Sequence, residues 1–146
     1  MPVPNSPADV IDRFTALLLA EDMAGAIDLL APDVVFEAPF ACGTPARVDG
    51  REGMREYLAD YPDRVRITGF PAYVVHRTAD PATVIAEFTA EGRTVRTGEP
   101  YAMPYVAVLT VRGVLIAHYR DYWSPVLAAK AAGELPALVE HLREEA

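Results

Sequence analysis

A disulfide framework is excluded at once, because Cys42 is the only cysteine in the chain. A lone thiol fits a reducing, cytoplasmic setting, and a small, partly buried hydrophobe is its ordinary use. Positive charge is scarce too: 13 Lys and Arg stand against 21 Asp and Glu, a formal net charge of −8. Nucleic acids and anionic membranes need a basic face, so neither is expected as a partner. No apolar run reaches the roughly 18 residues that a bilayer demands. The opening MPVPNSPADV has neither the basic flank nor the apolar stretch of a secretory signal. Gly-rich phosphate loops, the GxSxG elbow and paired-cysteine signatures are missing, which leaves nucleotide cofactors and serine-hydrolase chemistry without support. His76, His118 and His141 have no ligand spacing with an acid, so no metal site is expected.

What is present is a chain of 146 residues, 51% hydrophobic, sized for one domain with a real core. After a loose arm over residues 1–5, Ser6-Pro7 reads as a helix start, with Ser at the cap and Pro at the first position. Val10, Phe14, Leu17 and Leu18 recur at helical spacing to about Ala20. A short helix is expected from Met23 to Leu30, a strand that begins at Val34, carries Glu37 and stops at Pro39, a loop over Ala41–Gly50 and a third helix from Arg51 through Leu58. Tyr61-Pro62-Asp63 reads as a turn. Val65–Arg77 reads as extended chain broken at Gly69-Phe70-Pro71, and Thr83–Ala90 as a strand after the Asp80-Pro81 turn. Gly92-Arg93 is expected to close the next turn, with Gly98–Pro104 irregular.

Tyr105–Pro125 is the richest passage in β-branched and aromatic residues, two antiparallel strands joined at Arg112-Gly113. A final helical extension over residues 125–146 carries Leu135, Leu138, Val139 and Leu142 as one stripe, and Gly133 is its natural point of division. Helices and strands are segregated, so the class is α+β: a cone-shaped barrel made of a strongly bent, mostly antiparallel sheet wrapped around the N-terminal helices. A concave apolar interior of that kind suits a small ligand. The convex face calls for cover, and a second copy of the chain supplies it most simply.

Asp121 is the residue that asks for chemistry. Strict alternation puts Leu115, Ala117, Tyr119, Asp121 and Trp123 on one face, and Ile116, His118, Arg120 and Tyr122 on the other. A carboxylate among aromatics loses water and its pKa rises, which makes it a useful acid or base near neutrality. Exposure at a strand end, or an ion pair with an Arg on a neighbouring strand, is the competing use. Glu37 in VVFEAPF and Glu87 in VIAEFTA are candidate second carboxylates, or else surface positions of half-exposed strands. His76 is a further pocket candidate. Tyr57, Tyr73, Tyr101 and Tyr105 can offer hydroxyls, with Tyr57, Tyr105 and Trp123 expected to shape the pocket. His118 and Arg120 read as partners on the convex face, and as interface residues.

The YPD turn, the TADP turn followed by AEFTAEG, and the ending RDYWSP resemble the SnoaL-like branch of the nuclear transport factor 2-like superfamily, and within it the phenazine-biosynthesis A/B proteins. The likeness covers roughly Arg13 to Val126. It implies a homodimeric cone with a pocket and a cofactor-free enzyme of antibiotic or other secondary metabolism. The reaction expected is an acid/base cyclisation, isomerisation or condensation of an apolar or aromatic metabolite. A non-catalytic ligand binder and an epoxide hydrolase-like water addition are the alternatives. The phenazine proteins' motif acid falls on Asp121. Their catalytic histidine falls near Thr83 and their motif asparagine on Ser124, which argues against phenazine assembly. The ketosteroid-isomerase base falls on Ala38, beside Glu37, and its oxyanion tyrosine on Phe14, which argues against a steroid isomerase of that mechanism and leaves Phe14 as a ligand-pocket position.

Overall fold

The computed structural model describes residues 6–145, and the expected loose arm over residues 1–5 lies outside them. Helix α1 (Pro7–Leu19) starts where the Ser6 side chain accepts from the Asp9 amide at 3.2 Å. It buries Val10, Ile11 and Phe14. Helix α2 (Met23–Asp28) ends sooner than its apolar spacing suggests, because Leu30 already opens strand β1 (Leu30–Glu37). Within the expected loop, Arg47–Asp49 forms a short strand β2 against β1, followed by α3 (Gly50–Leu58). The YPD segment is one helical turn, α4 (Tyr61–Arg64).

Strands β3 (Val65–Gly69), β4 (Val74–Arg77), β5 (Thr83–Thr94), β6 (Pro100–Arg112) and β7 (Leu115–Tyr122) complete a sheet of order β2-β1-β7-β6-β5-β3, with β4 also on β5. All its pairings are antiparallel except β1 with β7. The sheet curls around the helices without closing, so the architecture is the expected α+β cone in open form.

Two strand expectations need correction. Gly92 is not in a turn: β5 runs on to Thr94, and Gly92 pairs with both Ile67 and Tyr101. It is glycine because β3 crosses it at very short range; a Cβ there would lie 1.9 Å from the Arg66 carbonyl oxygen. The chain turns at 95–99 instead, so residues expected to be irregular, Tyr101 to Pro104, are strand. The second correction concerns alternation on β7. Thr110 faces His118 but Val111 faces Ile116, so Ala117 is an extra, bulged residue. Ile116, expected on the outer face, is therefore fully buried, and Leu115 is only half-buried. Beyond the bulge, Tyr119, Asp121 and Trp123 all face the interior.

The C-terminal region divides at Gly133, which takes a left-handed φ of 71° and caps α5 (Pro125–Ala132) before α6 (Leu135–Glu145). The expected apolar stripe on α6 is not sunk into the core; Val139 and Leu142 are 42% and 43% exposed.

Candidate functional site

The interior of the curled sheet holds a cavity of about 200 Å³. One wall is the aromatic group Phe14, Phe36, Tyr57 and Tyr119, with ring centroids 5.1 to 5.8 Å apart. Another is Phe70, Phe88 and Tyr105, where Tyr105 stacks on Phe88 at 5.3 Å. Met54 and Met103 fill between them, and Trp123 closes the strand end. The burial of this much aromatic surface is what the alternation of β5, β6 and β7 produces: every second residue points into the curl.

Asp121 is one of the polar groups set among these rings. Its Oδ1 is out of solvent contact and has no hydrogen-bond partner among the described residues. Burial alone pushes the carboxyl up from its ordinary value of 3.8 to about 7. Around it stand Tyr57, Tyr61, Tyr101, Tyr105 and Tyr119. Their phenols ionise above the usual range, with burial the leading cause in each and the Asp121 charge adding to it. They are proton donors throughout the neutral range. The Tyr101 and Tyr105 hydroxyls lie 3.0 Å apart, one donating to the other. The mouth is more polar. Arg64 and Asp60 line it, their charged groups 3.9 Å apart and 62% and 63% exposed.

Phe14, Tyr57, Tyr105, Tyr119, Trp123 and Asp121 are thus brought together on one cavity. Glu37, Glu87 and His76 are not. Glu37 points to the outer face, where its Oε1 lies 2.5 Å from His118 Nε2. The parallel register of β1 on β7 makes that contact. His118 is therefore the partner of Glu37 and not of Arg120, whose Nε is buried without a hydrogen bond among the described residues. Glu87 and His76 meet at 2.6 Å on the exposed side of β4 and β5. Both candidate second carboxylates are outward-facing because each lies one residue out of phase with a buried neighbour, Phe36 and Phe88. Tyr73 packs on Phe88 at 6.0 Å and stays outside the cavity lining.

Sequence reasoning did not pick out Tyr61, Arg64 or Asp60. Their only signal was the YPD turn, read as a connection and not as a mouth. Among the described residues no three His, Cys, Asp or Glu side chains converge to hold a metal. Nor is any helix of the described residues long and apolar enough to cross a membrane.

A curled, unclosed sheet packed on N-terminal helices around an apolar pocket defines the nuclear transport factor 2-like fold. The SnoaL-like domain model matches residues 11–119, and the chain belongs to that family. A Pseudomonas aeruginosa protein described as PhzA/B-like and uncharacterized is 34% identical over 130 residues, 88% of this chain and 92% of its own length. The crystal structure of a Bacillus subtilis protein provisionally called an isomerase superposes with a TM-score of 0.84 at 37% identity, covering 88% of this chain and 93% of that one. A Pseudomonas putida structure provisionally called a polyketide cyclase gives 0.76 at 20% identity, over 88% and 99%, a likeness of fold alone.

Proposed function

We propose that the protein is a cofactor-independent acid/base enzyme of the cyclase or isomerase type, acting on a small apolar or aromatic metabolite with Asp121 as the proton-transfer residue. The observation that carries this reading is the buried Asp121 carboxyl in an aromatic cavity, without an ion-pair partner among the described residues. A structural or ligand-presenting role would have favoured a salt-bridged acid. As carboxylate, Asp121 takes a proton from a carbon or oxygen acid of the substrate, and as the resulting carboxylic acid it returns that proton to another atom. No electrons change hands. Charge that develops on a substrate oxygen meets neutral tyrosine hydroxyls, of which the Tyr101–Tyr105 pair is the best organised. Membership in a family with cyclase- and isomerase-like members supports the same general role. Epoxide opening by water needs a second carboxylate and an Arg converging on one site. Asp60 and Arg64 sit apart at the mouth, more than half exposed and engaged with each other, so that chemistry is less well served.

A turnover assay against a panel of cyclic ketones and polyketide-like precursors tests the proposal. Asp121→Asn is expected to lower kcat by about 10²–10⁴-fold. The wild-type pH profile should carry an ionisation near 7 that the variant lacks. Undiminished turnover in the variant overturns the assignment.

The reading includes a homodimer joined through the outer sheet face, in a compartment that keeps Cys42 reduced. That face presents Val74 and Val106, exposed to 49% and 37%, with Ile85, Val108 and Tyr122 beside them. The register sets Glu87, Val106 and Tyr122 side by side across three strands. Val106→Glu is expected to shift the protein from dimer to monomer in sedimentation experiments while leaving its circular dichroism unchanged. A wild-type monomer at high concentration would remove this part of the reading.

A further inference from the structure

Helix α5 is built differently from the other cavity walls. The rest of the lining is dominated by large aromatic and aliphatic side chains, whereas α5 contributes Ala128, Ala131 and Ala132. These positions, three and four apart, form one narrow helical face. Ala128 and Ala131 pack on the cluster of Ile67, Ala90, Tyr101 and Met103, next to Trp123 and Tyr105. The helix follows Asp121 by four residues, and it lies beyond residue 119, where the match to the SnoaL-like domain model ends.

The wall is held in place by specific bonds. Ser124 caps its start, accepting from the Leu127 amide at 3.1 Å. At its end, the buried Thr94 hydroxyl donates to the Ala131 carbonyl at 3.1 Å, and the Arg96 guanidinium donates to the Ala132 carbonyl. One side chain from the end of β5 and one from the turn that follows it thus occupy the last carbonyls of the helix, groups that have no partner within it. Gly133 makes room for this clasp, since a Cβ there would lie 2.8 Å from Arg96 Nη2.

We propose that α5 is the specificity wall of the pocket: its alanine face sets the size of ring that fits, and the Thr94–Arg96 clasp fixes the wall at that distance. The proposal rests on the small-ligand reading given above and adds which residues choose among ligands. An apolar cavity of about 150 Å³ is enough for benzene. The present cavity of about 200 Å³ therefore suits one substituted ring and leaves little margin for a second. The ligand class is a flat, one-ring aromatic or alicyclic compound, or the end ring of a longer one that emerges at the mouth.

Calorimetric titration with phenol and 2-naphthol separates the possibilities. Wild type should bind both. Ala131→Leu should weaken 2-naphthol by about tenfold, the cost of modest overpacking, with a smaller loss for phenol. Arg96→Ala, which frees the wall, should narrow the difference between the two probes. Lys130→Leu, on the exposed side of the same helix, should change neither. Ala128→Val replaces Ala131→Leu if thermal melts show the latter to be unfolded. Equal effects of the wall substitutions on both probes, or no effect, overturn the specificity wall while leaving the small-ligand reading in place. Failure of wild type to bind either probe overturns both.

Discussion

Asp121→Asn is expected to make the protein more stable above neutral pH, the reverse of what most substitutions of half-buried residues do. The carboxyl ionises near 3.8 in the unfolded chain and near 7 in the folded one. Between those values the native state keeps a proton that the unfolded state has released. Stability therefore falls as pH rises from about 4 to about 7, and then levels off. A shift of that size corresponds to about 4 kcal/mol once both states are ionised. Asparagine has nearly the same shape and no charge to desolvate, so most of this penalty should disappear. Its amide inherits a site that offers Oδ1 no hydrogen bond, which returns about 1 kcal/mol of cost. Denaturant melts of the two proteins at pH 5 and pH 8 measure the effect. The curves should lie close together at the lower pH and separate at the higher, with the variant above. Parallel curves would mean that Asp121 ionises normally, and the acid/base assignment would lose its physical basis.

Gly92→Ala should be among the most damaging single substitutions in the chain. The added Cβ would lie 1.9 Å from the Arg66 carbonyl oxygen, 2.8 Å from its carbonyl carbon and 2.9 Å from Ile67 Cα. All three atoms are backbone, in a strand that is itself paired, so no side-chain rotation relieves the clash. Strand β3 must leave β5 or shift its register. The expected loss is about 3 kcal/mol or more, a large share of the roughly 5–15 kcal/mol that holds a domain together. It should appear as a fall in Tm of about 10 °C. The site should suffer with it, because β3 continues directly from Arg64 at the cavity mouth, and Val65 lines the cavity. Gly98→Ala is the matched control. Gly98 also departs from ordinary backbone, with φ of 71°, but nothing lies within 4 Å of its missing Cβ, so only about 1 kcal/mol of conformational strain is expected. Comparable losses from the two substitutions would show that the β3–β5 crossing is looser than described.

These two residues also mark how far the sequence could be read. Asp121 stood out because a charge inside Tyr-Arg-Asp-Tyr-Trp conflicts with its surroundings, and such local conflict is visible without a structure. Gly92 showed nothing of the kind. A glycine after a strand looks like a turn, and the reason it must be glycine is a backbone 25 to 26 positions earlier in the chain. Glu37 and Glu87 looked like Asp121 in miniature, each an acid in an apolar strand. What separates them is which face points inward, and the buried neighbours Phe36 and Phe88 decide that only once the sheet has curled. Their histidine partners are set by strand register, across 81 residues in the case of His118 and Glu37. The α+β class, the helix starts and the long hairpin were legible because caps, periodicity and β-branched runs are local signals. The alanine wall was not, since small side chains announce neither chemistry nor burial.

The bulge at Ala117 has a consequence for how this hairpin tolerates change in length. It absorbs one residue of mismatch between β6 and β7, so the phase of the strand is set afresh at Tyr119, whose ring is wedged against Phe14 and Phe36. An insertion or deletion at the Gly113-Val114 tip should therefore disturb Asp121 less than one made between Tyr119 and Asp121. The two steps from Tyr119 to Asp121 have no such buffer. Removing Arg120 would turn the carboxylate outward, towards the side of the sheet where Glu37 meets His118. The hairpin is thus mechanically insulated at its tip and rigidly geared at its chemical end.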